Sequence, residues 1–128
     1  MAHASTSPPM LRLKRSAQSG QKAMTAAYAV EYTESCPLAY IFAGAEIDLS
    51  NMQIGDAIDI RVRKQIISGG GWVVHDIMSY TDAVPARHVT AHIGAIPDVY
   101  GISVDMVQTA GVLRNCDAEF YDAKRIGL

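Results

Sequence analysis

The 128-residue sequence lacks the short patterns that name a reaction. It has no Gly-x-Ser-x-Gly nucleophile elbow, and neither of its two cysteines, Cys36 and Cys116, has a histidine close to it in the chain. Two cysteines are too few for a disulfide framework; Cys36 and Cys116 could pair with each other, but two small core residues is the better reading. No apolar run approaches the roughly 20 residues a membrane-crossing helix needs, and the first residues lack the apolar stretch of about seven or more that a secretory signal requires. Residues 1–24 also lack acid: they carry Arg12, Lys14, Arg15 and Lys22 and no Asp or Glu, a charge of +4. The other seven basic residues stand against all thirteen acidic ones, which leaves residues 25–128 at −6. A basic arm on an acidic body is the charge pattern of an interaction tail.

What is present is alternation. In Asp48 to Gln65, DLSNMQIGDAIDIRVRKQ, a polar turn precedes Ile58, Ile60 and Val62, which alternate with Asp59, Arg61 and Arg63. That is the period-2 mark of a strand with one buried and one wet face. Similar runs give strands over Ala26–Thr33, Leu38–Ile47, Asp56–Ile67, Trp72–Thr81, Arg87–Ile93, Tyr100–Gln108 and Val112–Ala123. In the second, Ile41, Ala43, Ala45 and Ile47 oppose Tyr40, Phe42, Gly44 and Glu46. In the fourth, Trp72, Val74, Met78 and Tyr80 alternate and Asp76 interrupts them. Gly94–Asp98, with Pro97, reads as a loop. About seven strands in one domain, without a helical segment longer than a turn, predict an all-β fold: a single antiparallel β-sandwich, immunoglobulin-like or jelly-roll-like, over residues 25–128. Residues 1–24 hold Pro8-Pro9 and one short apolar run, and are expected to form an extended arm that does not fold alone.

The candidate chemical sites all have plainer readings. His88-x-x-x-His92 would place two ligands on one helical face, but on a strand residues four apart lie roughly 13 Å from each other. Asp48 to Asp56 has the oxygens calcium favours without the spacing of an EF-hand, and its Asn51 and Gly55 suit a tight turn. Gly69-Gly70-Gly71 precedes a strand rather than a helix, so it reads as a hairpin and not a phosphate cradle. His75 and Asp76 are adjacent on a strand and should point to opposite faces. No catalytic residue, metal or cofactor is expected.

The segments IDLSNMQIGDAIDIRVRKQI, SGGGW and YGISVDMVQTAG, within residues 47–111, resemble small β-sandwich modules of phage and archaeal virus structural proteins. The resemblance implies a non-enzymatic virion part such as a capsid decoration, cement or coat-associated subunit. Its expected partners are identical subunits in a symmetric assembly and a major capsid or other virion protein. No membrane partner is expected, and nucleic acid would be touched only through the arm. In this reading Met10, Leu11, Arg12, Leu13, Lys14 and Arg15 link neighbouring subunits. One alternative is a secreted or cell-surface carbohydrate-binding module stacking its ligand on Trp72, Tyr80 and Tyr100. Another is a small enzyme on a β scaffold, which would require a concave pocket with convergent groups such as His75 and Asp76.

Overall fold

A computed structural model describes residues 11–34, 40–83, 90–98 and 100–125. They form ten strands and no helix: β1 (Leu11–Arg15), β2 (Gly20–Ala23), β3 (Ala29–Glu34), β4 (Tyr40–Asp48), β5 (Ala57–Gln65), β6 (Trp72–Thr81), β7 (Thr90–Ile93), β8 (Ile96–Asp98), β9 (Ile102–Ala110) and β10 (Asn115–Arg125). All pairings are antiparallel. In the first sheet β10 and β4 are central, with β1 and β2 in tandem along β10 and β7 and β8 in tandem along β4. The second sheet runs β3-β9-β5-β6.

Counting each tandem pair as one row gives two four-row sheets, and the chain changes sheet at every connection between rows except the β5–β6 hairpin. This order is that of a jelly roll, which selects between the two sandwich types expected from the alternation. The interior is a continuous apolar cluster from both sheets, including Ile47, Ile58, Ile60, Val62, Ile102, Val104 and Met106. Tyr32 joins the sheets at its centre, with ring centroids 5.1 Å from both Phe42 and Phe120.

Residues 11–23, expected to lie in an arm outside the domain, instead form two of its strands. Leu11 to Arg15 register with Arg125 to Tyr121, and Gly20 to Ala23 with Ala118 to Asn115. The break between them is held by Ser16 and Ser19. The Ser16 amide donates to the Phe120 carbonyl at 2.8 Å, and the Phe120 amide donates to Ser19 Oγ at 2.9 Å. GQKA has no hydrophobic period of its own; backbone pairing to β10 makes it a strand. Ile96–Asp98, expected within a loop, likewise becomes β8 by pairing with Tyr40–Phe42.

Two bulges overturn face assignments made from simple alternation. Between Phe42 and Gly44 the β4–β10 register slips, so Phe42 shares the buried face with Ala45 and Ile47. Gly44 has φ +125°, and a Cβ there would lie 2.5 Å from the Ile93 carbonyl oxygen. A glycine is therefore required where β7 ends beside β4. The second bulge lies in β6, where Val62 pairs with Asp76 and Arg63 with Val74, leaving His75 as the extra residue.

Candidate functional site

The β6 bulge changes what its side chains can do. Before it, Trp72 and Val74 register with Gln65 and Arg63 on the outer face of the second sheet. After it, Met78 and Tyr80 register with Ile60 and Ile58 and pack against the core. The alternation through Trp72, Val74, Met78 and Tyr80 therefore spans two faces, and Asp76 marks the crossing. His75 and Asp76, expected on opposite faces, line one cleft together, because a bulge places two successive side chains against one partner residue.

That cleft, of about 260 Å³, lies between β6 and the β7–β8 row, where the two sheets part. Val62, Met78, Ile93 and Ile96 supply apolar walls, and His75, Asp76 and His92 supply polar groups from both sheets. Burial raises the Tyr80 phenol above its ordinary range, and the neighbouring Asp76 charge raises it further. Among the described residues no group of three or more His, Cys, Asp or Glu is placed to hold a metal ion. His88 lies outside the described residues.

A second polar cluster sits on the outer face of the second sheet. Asp105 of β9 is fully buried although its strand position points away from the core. It accepts a 2.6 Å hydrogen bond from Ser103 Oγ and a 2.9 Å bond from Arg61 Nε, and it pairs with Arg63 Nε at 2.6 Å. The Arg61 guanidinium lies 3.8 Å above the Tyr28 ring, and that of Arg63 is 5.6 Å from the Trp72 ring. Cross-strand register continues the Asp105–Arg61 row to Val30 and Ile77 and puts Val74 beside Arg63. All three of these apolar side chains are exposed. The alternation places Arg61 and Arg63 on this face; their tethering to a buried carboxylate depends on the β5–β9 register, which joins residues 42 and 44 positions apart.

The Asp48 to Asp56 turn bonds to itself. Asp48 Oδ1 accepts the Ser50 amide at 2.8 Å, and Asp56 Oδ2 accepts the Gln53 amide at 2.8 Å and Arg114 Nε at 2.7 Å. These bonds hold both carboxyls below the usual carboxylate range, through Ser50 for Asp48 and through Arg114 and then Gln53 for Asp56. Gly70 donates to the Ile67 carbonyl in the β5–β6 turn, so the glycine triplet forms a hairpin. Cys116 is buried in the core, and Cys36 lies outside the described residues.

The residues expected to link subunits are placed differently: Leu11, Arg12, Leu13, Lys14 and Arg15 are β1, paired to β10 of the same chain, and Met10 lies outside the described residues. The three aromatics expected to stack a sugar do not share a platform. Trp72 lies on the outer face, Tyr80 faces the core partly buried, and Tyr100 is exposed beside a small hollow with Lys64, Gln65, Ile66 and Pro97.

The architecture is thus an eight-row jelly roll with a cleft between its parted edges and an arginine–aromatic cluster on one outer face. No protein-family model, curated protein or solved structure matches the chain.

Proposed function

We propose that the protein is a virion structural subunit, of the capsid decoration, cement or coat-associated kind, that assembles with copies of itself. The observation that carries this reading is the jelly-roll strand order, an architecture on which capsid domains are built as well as lectins and cupins. The exposed Val30, Val74, Ile77, Tyr28 and Trp72, gathered around Arg61 and Arg63, add to it. Aromatic and arginine side chains beside aliphatic ones are the composition of interface anchors. Residues 11–23 act within the subunit in this reading, completing the first sheet. Sedimentation velocity and negative-stain electron microscopy test it: a discrete, symmetric assembly at a multiple of the 13.8 kDa chain mass is expected. A monomer at every concentration up to about millimolar would defeat it.

A second reading rests on the cleft: a small-ligand or catalytic site formed by His75, Asp76 and His92 over an apolar floor. Chemical-shift mapping of the two imidazoles against simple sugars and small carboxylic acids tests it. Saturable shifts at both, abolished by Asp76→Ala, would favour it over the structural reading.

A further inference from the structure

The four outer rows of the sandwich are unequal. The β1–β2 and β7–β8 rows are broken into strands of three to five residues, with Lys22 on one and Pro97 on the other. The β3 edge is six residues long and interrupted by a register shift at Glu31. Short strands, lysine, proline and bulges are the means by which sheets prevent edge-to-edge pairing. The β6 edge differs: it is ten residues long, carries no Lys, Arg or Pro, and exposes Trp72, Val73, Val74 and Ile77, and its one register shift, at His75, leaves a run of extended chain on either side.

Resting on the assembly reading above, we propose that β6 is the subunit interface, and that its occupant is the β6 strand of a second copy paired antiparallel about a local two-fold axis. Strand parity selects the register. In such a pair, residue i faces residue j with i + j constant, and facing residues must lie on the same side of the joint sheet. Without a bulge, only even sums would satisfy this. The bulge at His75 reverses the parity between the two halves of β6: Trp72 and Val74 lie on the outer face before it, and Ile77 and Ser79, opposite Arg61 and Asp59, lie there after it. Only odd sums now match faces across the axis.

The odd sum centred on the bulge sets His75 against Asp76, Val74 against Ile77, Val73 against Met78 and Trp72 against Ser79, each pair occurring twice. The central pairs are charge-complementary when the imidazole is protonated and can hydrogen-bond when it is neutral. The next two pairs, Val74 with Ile77 and Val73 with Met78, join apolar side chains that are exposed or half-buried in the single subunit. The neighbouring even sums set Asp76 on Asp76 or His75 on His75 and put Val74 on the wrong face. The device that opens the cleft also makes the strand self-complementary.

The test uses the full chain. Val74→Lys and Asp76→His are each expected to raise the concentration at which assemblies dissociate by roughly tenfold or more. The exchange His75→Asp with Asp76→His is expected to return it to within about threefold of the parent, because the opposite pairs are restored. Far-ultraviolet circular dichroism confirms that each variant is folded, and Val112→Lys, exposed in the β9–β10 turn, is the unchanged control. Hydrogen exchange should show amides of residues 72–79 protected in the assembly and open on dilution. If the parent assembles and Val74→Lys assembles equally, or the exchange is no better than the single change, the β6 inference falls while the assembly reading stands. If the parent is a monomer throughout, the assembly reading itself falls.

Discussion

At the scale of single residues, two buried carboxylates do different work. Asp56 fastens the β4–β5 turn to the β9–β10 turn: it binds Arg114, and Gln108 Oε1 accepts the Arg114 amide at 2.9 Å. Its pKa is depressed in the fold, so its contribution to stability is present above the ordinary carboxyl value of 3.8 and is lost as pH falls through the lower folded value. Urea unfolding of Asp56→Asn should therefore show a deficit at pH 7 that narrows below pH 3.8. A deficit independent of pH would refute the charged role. Asp105 pairs with two guanidiniums at once. Removing one member of a buried ion pair costs about 3–5 kcal/mol, and partial exposure of both arginines puts Asp105→Ala near the lower end, about 3 kcal/mol. Chemical denaturation measures that directly, and a loss below about 1 kcal/mol would show that solvent already screens the cluster. Burial, with Asp48 and Asp117 nearby, pushes the Cys116 thiol up to about 11. It should resist iodoacetamide in the folded protein and react once urea unfolds it.

At the scale of elements, the two amino-terminal strands separate the folded role of residues 11–23 from the linking role their charge suggested. Deleting them leaves the whole length of one β10 edge without its backbone partners and uncovers the side of a core that holds Phe120. The expected outcome is loss of cooperative thermal unfolding in the single subunit. A deletion variant that melts like the parent but no longer assembles would return these residues to the linking role. The strands were hard to read because LRLKR offers two periods of alternation and GQKA none. Their stability comes from pairing more than 90 residues away in the chain, which no local window contains. Strands such as β5 and β9 were legible because each has an apolar face, Ile58, Ile60 and Val62 in one and Ile102, Val104 and Met106 in the other.

At the scale of the whole molecule, the row order decides what surfaces exist. Winding the chain between sheets at nearly every connection brings β6 and the β7–β8 row to the same side, which creates the cleft with His75, Asp76 and His92. It also leaves β6 as the end of its sheet among the described residues. The same winding covers β9 on both sides, so Asp105 is buried where alternation alone would leave it wet.

The sequence by itself determined an antiparallel sandwich, most of its strands, and the turns at Asp48–Asp56 and Gly69–Gly71. Alternation and turn chemistry are local, set by the side-chain period of an extended chain and by the few residues that tolerate a tight bend. Tertiary structure alone decided the jelly-roll order, the enrolment of residues 11–23 as strands, and the company that His75 keeps. A bulge is defined by two residues facing one across a ladder, so it exists only once the partner strand is in place. The register between distant strands turned two adjacent residues from opposite faces into neighbours in one cleft.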